Sequence, residues 1–136
     1  MKIKLNTESI RYITLFESMT GALVKDCIVS DGKLLFIVRE GQAGMAIGRN
    51  GANIKNLEKV LKRKIEIIEF SKEPIKFLQN IMRPLDVKNA YISERSDGKK
   101  ILYFSSSRKN PLLLSKLKKV KFLLSKYFGI DGVSLV

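Results

Sequence analysis

The feature that most constrains the fold is a β-hairpin signal that occurs twice, at Asp31-Gly32 and again 66 residues later at Asp97-Gly98. Asp-Gly between two β-rich runs is typical of the tight turn that joins antiparallel strands. The runs around these turns are residues 24–29 and 33–39 in the first case, and 87–93 and 99–105 in the second. The spacing therefore indicates two related units along one short chain.

Helical patterns accompany both hairpins. Residues 7–20 and 75–82 precede the hairpins, residues 52–63 and 112–128 follow them, and the strands 65–70 and 133–136 come last. Residues 41–47 favour one or two additional helical turns. A shift of 63 positions places Ile54, Leu57 and Leu61 on apolar residues of the later helix. The sequence thus predicts an α/β (α+β) fold with two units, residues 1–71 and 72–136.

The charge of the chain is strongly positive. It has 26 Lys and Arg against 13 Asp and Glu, a formal net charge of +13. Residues 71–136 are the more basic half, with 14 basic and 5 acidic residues against 12 and 8 in residues 1–70. Such an excess attracts polyanions such as nucleic acids, although lysines that merely solvate a surface fit charge alone equally well.

Several classes of protein are disfavoured by what the sequence lacks. There is no His, and Cys27 is the single cysteine, so neither a zinc site of Cys and His nor an intrachain disulfide can form. No apolar run approaches the roughly 20 residues of a membrane span, and the first residues do not resemble a signal peptide. We therefore expect a cytoplasmic protein with no metal and no membrane association.

The sequence also gives no support for catalysis. Proton transfer near neutral pH has no histidine to use, and the acidic residues are scattered. Gly44, Gly48 and Gly51 do not form a Walker loop, which needs Gly-Lys-Ser/Thr after its glycines. We predict that the protein is not an enzyme, with no catalytic residues, no cofactor and no small-molecule substrate.

The segment Gly48-Arg49-Asn50-Gly51 lies directly before the amphipathic helix 52–63. Glycines permit unusual backbone conformations and leave no side chain between the backbone and a phosphate. A helix N-terminus supplies N–H groups and partial positive charge, and Arg49 adds a full charge. Asn50 tolerates left-handed geometry, and we expect Ile47 and Ile54 to anchor the flanking segments in the core. The segment therefore predicts a loop that holds a sugar-phosphate backbone.

In this context of hairpin, short helix, loop, helix and strand, the chain resembles a KH domain. The leading helix and the final third strand resemble the type II, prokaryotic arrangement, in which each unit has a three-stranded mixed sheet packed on helices. Two such units in succession, with the stretch from Ala46 to Ile54 as the most specific part, resemble the archaeal NusA-type transcription factors. That resemblance implies binding of single-stranded RNA, linked to transcription elongation and termination.

The predicted RNA-binding residues lie in and after the loop: Ile47, Gly48, Arg49, Asn50, Gly51, Asn53, Lys55 and Lys59. By the resemblance, bases should be read between the helix 52–63 and the strand 33–39. The simpler interpretation of Lys55 and Lys59 is that they are solvated side chains on an exposed helix face, and the simpler interpretation of Ile54 is burial in the core. Stacking of bases on aromatic side chains should be minor.

The second unit departs from the pattern. The shift of 63 places Pro111-Leu112-Leu113-Leu114 at its loop position, without any glycine. We therefore predict a degenerate KH-like domain that lacks the phosphate loop. Its basic residues could add non-specific phosphate contacts or simply solvate a helix; the candidates are Arg108, Lys109, Lys118 and Lys119, with Lys116, Lys121 and Lys126 nearby.

Several functions remain open at this stage. The first is a monomeric transcription factor that binds nascent RNA and touches RNA polymerase. The second is a KH protein of ribosome or RNA maturation, and the third is a protein-interaction scaffold with vestigial loops. A DNA-binding KH protein is a further alternative, because a loop that contacts the backbone does not by itself select the sugar.

Overall fold

The computed structural model describes residues 7–30, 32–107 and 111–136. The helices are α1 (Thr7–Thr20), α2 (Ala43–Ile47), α3 (Ala52–Leu61), α4 (Pro74–Met82) and α5 (Pro111–Phe128), with a 3-10 turn at Arg49–Gly51. The strands are β1 (Val24–Ser30), β2 (Lys33–Val38), β3 (Lys64–Glu69), β4 (Lys88–Glu94), β5 (Lys100–Ser105) and β6 (Gly132–Leu135). All the elements that the sequence predicts are present.

The chain divides into two compact units, Met1–Ser71 and Lys72–Val136. Each unit has a three-stranded sheet, in the order β1-β2-β3 and β4-β5-β6. In both sheets the first pair is antiparallel and the second pair is parallel. The hairpins make the antiparallel pairs, and the helical crossovers make the parallel ones. The predicted fold class, two three-stranded mixed sheets packed on helices, is confirmed.

In the first unit the central strand β2 is buried on both faces. Five of its six residues, from Leu34 to Val38, are buried, so the strand shows a continuous apolar run instead of alternation. The Phe36 ring stacks on Phe16 of α1, with ring centroids 4.2 Å apart. Cys27 lies in the same core, and burial raises the pKa of its thiol to about 12. The thiol is therefore a small apolar group in the core.

The second unit is built around the helix pair α4 and α5. Phe77 of α4 contacts the rings of Tyr127 and Phe128, each with centroids 5.9 Å from its own. Leu102 and Phe104 of β5 are fully buried below the helices. Strand β4 is an edge strand, and a bulge near Asn89, which has a positive φ, interrupts its register with β5. This unit thus repeats the topology of the first with its own core.

Most element boundaries differ from the predictions by one or two residues, and two of these differences have a clear physical reason. The helix predicted over residues 52–63 ends at Leu61, because Lys62 adopts a left-handed conformation and its N–H donates to the Glu58 carbonyl. Helix α5 begins at Pro111, one residue earlier than predicted, since a proline is well accommodated in the first helical turn. Asp31 of the first hairpin turn lies outside the described residues.

Candidate functional site

The Gly48–Gly51 segment connects α2 to α3 by a sharp change of backbone direction. Gly48 has φ 79° and ψ 171°, and its N–H donates to the carbonyl of Gly44, which completes the last turn of α2. This combination of angles is essentially restricted to glycine. The first glycine of the loop is therefore required by backbone conformation alone.

The rest of the loop is a tight left-handed turn. The Gly51 N–H donates to the Gly48 carbonyl at 3.1 Å. Asn50 (φ 54°, ψ 28°) and Gly51 (φ 74°, ψ 18°) are both left-handed. Asparagine and glycine adopt this region at the lowest cost, so the predicted conformational role of Asn50 is confirmed.

The side chain of Asn53 links the loop to the preceding helix α2 by a hydrogen bond. Its Nδ2 donates to the Met45 carbonyl at 2.9 Å. A Cβ placed on Gly48 would lie 2.8 Å from Asn53 Cγ and 2.9 Å from Asn53 Nδ2, closer than real Cβ contacts. The amide of Asn53 thus fills the space that the glycine leaves, and both residues hold the loop in one shape.

Helix α3 begins directly after this loop, and its N-terminal partial charge is not offset by neighbouring groups of the helix. No side chain caps its first residues, and its first turn contains no acidic residue. The ten-residue helix therefore presents its partial positive charge at the loop, where Arg49 is exposed. This arrangement favours an anion such as a phosphate.

Lys55 and Lys59 extend the positive charge along α3. Both are exposed, and their spacing of four residues places them on one side of the helix. Glu58 lies between them in sequence, but its Oε2 accepts the N–H of Ile65 on β3. The carboxylate that could neutralise this side of the helix is therefore engaged with the sheet.

The prediction that Ile47 anchors the core is wrong. Ile47 is 38% exposed, while the preceding Ala46 is fully buried. Successive helical residues differ by about 100° in direction, so only one of the two can face the core, and α2 ends directly afterwards. Ile54, in contrast, is half-buried against the core, as predicted. Ile47 is instead an exposed aliphatic side chain next to the loop.

The predicted groove between α3 and the strand 33–39 is also wrong. That strand is β2, which pairs with β1 on one side and β3 on the other, and it is buried from Leu34 to Val38. Both α2 and α3 contact the edge strand β3. Glu69 at the end of β3 accepts the N–H of Ala43, which ties this strand to the start of α2. The strand beside the loop helices is therefore β3.

In the second unit the position of the loop is helical. Pro111 to Leu114 form the first turn of α5, with Leu112 and Leu114 exposed and Leu113 buried. Lys118 is exposed and Lys119 is half-buried on the same helix, while Arg108 and Lys109 lie outside the described residues. The second unit therefore has no counterpart of the Gly48–Gly51 turn at this place.

One of the lysines of helix α5 has a structural role instead. Lys116 is buried, and its Nζ donates to the Ile81 carbonyl in the last turn of α4 at 3.1 Å. A cation near the C-terminal end of a helix also interacts favourably with the helix dipole. The inclusion of Lys116 among candidate phosphate contacts is therefore wrong, because the side chain is used inside the unit.

The described part of the chain shows neither a metal cluster nor a membrane span. Residues 7–30, 32–107 and 111–136 contain no group of three or more His, Cys, Asp or Glu placed to hold a metal ion. Over the same ranges, no helix is both long enough and apolar enough to cross a bilayer.

Asn53 and Glu69 are the supporting residues whose actual contacts the sequence does not reveal. The sequence predicts Asn53 as an RNA contact, and Glu69 lies within the predicted strand 65–70 without any assigned role. A polar residue two positions after Gly51, in the first turn of a helix, could have indicated the bond from Asn53 back to α2. No sequence signal connects Glu69 to Ala43, because the two residues are 26 positions apart.

Comparison with known proteins agrees with this geometry. Residues 10–90 match the KH domain family. A protein of Methanococcus vannielii described as "Probable transcription termination protein NusA" is 44% identical over 94 residues, 69% of this chain and 54% of that protein. A Halococcus morrhuae protein of the same description is 33% identical over 140 residues, 99% of each chain. The matched region thus spans about half of the first relative and nearly all of the second.

A solved structure also superposes on the whole fold. The chain titled "Crystal structure of APE1850" has a TM-score of 0.81 at 32% identity, covering 97% of this chain and 100% of that one. The family match includes more than half of the residues, and the resemblance inferred from the loop and its flanking elements is confirmed. This chain therefore belongs to the KH domain family and is a NusA-type KH protein.

Proposed function

We propose that the protein binds single-stranded RNA by holding its sugar-phosphate backbone in the Gly48–Gly51 loop. The observation that carries this proposal is the left-handed glycine turn at an uncapped helix N-terminus, within a KH fold. KH domains use such a loop to clamp the backbone of four nucleotides. The net charge of +13 adds long-range attraction for RNA.

The residues around the loop take separate roles in this proposal. Gly51, which has open space at its Cβ position, lets the RNA backbone approach, and Gly48 allows the backbone turn that shapes the loop. Arg49 supplies charge-assisted hydrogen bonds, and Asn50 forms the exposed turn. Lys55 and Lys59 follow the phosphates along α3. The exposed Ile47 side chain offers an apolar contact to a base. Asn53 acts mainly by holding the loop, since its Nδ2 already donates to Met45.

The biological setting that we propose is transcription elongation and termination, on a nascent transcript and near RNA polymerase. Relatives in Methanococcus vannielii and Halococcus morrhuae carry the description "Probable transcription termination protein NusA". We propose that the second unit is a degenerate KH-like domain, because α5 begins where the loop would lie. Co-purification with polymerase subunits would support this setting, and co-purification with ribosomal particles would favour RNA maturation.

The direct test is a titration of single-stranded RNA against the wild type and the double variant Arg49→Asp, Asn50→Asp. Two carboxylates in the loop should repel phosphates, and aspartate tolerates the left-handed conformation of Asn50. We expect affinity to fall at least about tenfold.

The matched control is Arg11→Asp with Ser18→Asp, on exposed positions of α1 seven residues apart. This pair changes the net charge by the same amount away from the loop. Circular dichroism should show that both variants remain folded. If the folded loop variant binds as tightly as the wild type, or no more weakly than the control, the loop does not hold the RNA.

A further inference from the structure

One face of the second sheet carries a pair of stacked tyrosines. Tyr91 on β4 lies opposite Tyr103 on β5, and their rings stack with centroids 5.1 Å apart and planes 20° apart. Tyr91 is 51% exposed, while Tyr103 is half-buried. The pair therefore presents an aromatic surface to solvent in the middle of a sheet.

The strand register shows that this face is the one opposite the core. On β5, Leu102 and Phe104 are fully buried, and the alternating residues Ile101, Tyr103 and Ser105 point to the other side. Ser93 lies opposite Ile101 on the same side as Tyr91, and Ser134 of β6 lies beside Tyr103. We call this side of the sheet, with Tyr91, Tyr103, Ser93, Ile101, Ser105 and Ser134, the tyrosine face.

Basic residues lie at both ends of the tyrosine face. Arg95 and Lys99 continue the register at the hairpin end, and Lys88 lies opposite Ser105 at the other end. By strand rise, Arg95 and Lys88 are about 13 Å and about 10 Å from Tyr91 along β4. Asp86 is 3.9 Å from the Lys88 ammonium, and Asp97 accepts the Lys99 N–H, so these carboxylates offset part of the charge.

The acidic residue of β4 lies on the other side of the sheet. Glu94 pairs in register with Lys100, at the position between Arg95 and Ser93 where alternation points away from the tyrosine face. The whole second half has 14 basic against 5 acidic residues. A ligand that combines flat rings with several negative charges is therefore complementary to this aromatic surface and to the cations at its ends.

We propose that the tyrosine face binds single-stranded RNA, with a base stacked on Tyr91 and the flanking phosphates near Arg95 and Lys99. Stacking on an aromatic side chain is tolerant of base identity, because every base has a π-face. Sheet faces with aromatic residues stack two or three bases in other single-strand binders. The second unit would thus contact RNA without a glycine loop, and this site does not depend on the loop of the first unit.

The test uses the full chain, a twelve-uridine RNA and an abasic RNA of the same length. Tyr91→Thr removes the ring but keeps a β-branched residue suited to a strand. We expect it to lower affinity for the uridine RNA about 5- to 150-fold and to leave affinity for the abasic RNA unchanged. Tyr91→Phe keeps the ring and should bind both RNAs as the wild type does.

A folded Tyr91→Thr protein that binds uridine RNA like the wild type would overturn the proposal, and the pair would then serve sheet stability or a protein partner. The same experiment with Arg49→Asp, Asn50→Asp separates the two sites. Loss of affinity only in the loop variant would reject the tyrosine face, and loss only in Tyr91→Thr would reject the loop.

A second measurement needs no substitution. RNA containing 5-iodouridine is irradiated with the wild-type chain, and the cross-linked peptides are identified by mass spectrometry. We expect cross-links at Tyr91 or Tyr103. Cross-links confined to residues 43–61 would show that the tyrosine face does not contact RNA.

Discussion

Gly48 and Gly51 bound the same loop, but their backbones make different demands on a side chain. At Gly51 the conformation is left-handed, and no atom lies within 4 Å of the point that an alanine Cβ would occupy. At Gly48 the angles are nearly exclusive to glycine, and a methyl group would press on Asn53. The cost of a left-handed alanine is roughly 1–2 kcal/mol, and a glycine-only conformation costs up to about 3 kcal/mol.

These geometries predict that Gly48→Ala destabilises the protein more than Gly51→Ala. We expect about 2–3 kcal/mol for the first and about 1 kcal/mol for the second, measured by urea unfolding of both variants. Equal losses, or a larger loss at Gly51, would contradict the account of the Asn53 contact.

At the residue scale, the sequence predicts the backbone conformation of a residue better than whether its side chain points to the core or to solvent. The left-handed Asn50 follows from its residue type between two glycines. The exposure of Ile47 does not, because the phase of a five-residue helix cannot be fixed from so few positions. The burial of Lys116 is equally hidden, since its partner Ile81 is 35 residues away.

At the scale of elements, α4 and α5 are joined by the buried Lys116. Replacing this residue by methionine keeps a similar aliphatic stem but leaves the Ile81 carbonyl without its charged donor. We expect Lys116→Met to lower the free energy of unfolding by about 1–3 kcal/mol. The control is Lys118→Met, an exposed lysine of the same helix, which should change it little. Equal effects in urea unfolding would show that the hydrogen bond contributes nothing.

A carboxylate organises the segment that follows β5. Asp86 accepts hydrogen bonds from the Ser107 hydroxyl, from the Ser107 N–H at 3.0 Å and from the Ser106 hydroxyl at 3.1 Å. These bonds, led by the Ser107 hydroxyl, lower the pKa of Asp86 to about 2. The anion therefore binds protons less readily in the folded chain than in the unfolded one.

The lowered pKa of Asp86 predicts an acid-dependent stability. Its contribution is complete above the unfolded pKa of about 3.9 and is lost as the pH falls toward about 2. Asp86→Asn should therefore flatten the fall of the unfolding temperature between about pH 4 and pH 2. The matched control is Glu94→Gln, which also removes one carboxylate from the second unit. If Asp86→Asn leaves the pH profile as in the wild type, the Ser106 and Ser107 contacts do not stabilise the anion.

The elements themselves are largely predictable because each satisfies a local rule. Asp-Gly turns between β-rich runs mark the hairpins, and apolar periodicity marks α3 and α5. The α3 end at Lys62 is not predictable, because a lysine in the left-handed conformation gives no sequence signal. The groove beside β2 is misplaced, since strand order follows from pairing between distant residues. The tyrosine face also depends on pairing, because Tyr91 and Tyr103 meet only in the register of β4 with β5.

At the scale of the whole molecule, positive charge is divided unevenly between the halves. Residues 71–136 have a net charge of +9 (14 basic less 5 acidic) and residues 1–70 of +4 (12 less 8). RNA binding that uses phosphate contacts in both halves should show a steep dependence on salt. For single strands the logarithmic slope changes by about 0.7 for each phosphate contact.

The lysines of α5 provide a test of the second half. If Lys118 and Lys119 each neutralise a phosphate, Lys118→Glu with Lys119→Glu should flatten the salt slope of RNA binding by about 1.4. The matched pair Lys76→Glu with Arg83→Glu reverses two exposed charges on and after α4. An unchanged slope would remove Lys118 and Lys119 from the RNA surface, and an equal change in the matched pair would indicate only the overall field.

The central claim is that the backbone of RNA lies against the Gly48–Gly51 loop. The most direct measurement is a titration of the ¹⁵N-labelled chain with single-stranded RNA, followed by the backbone amide signals. We predict that the largest shifts fall on the amides from Gly48 to Asn53, and that they saturate together with binding. Saturated binding with these amides unmoved would contradict the claim and place the RNA elsewhere on the molecule.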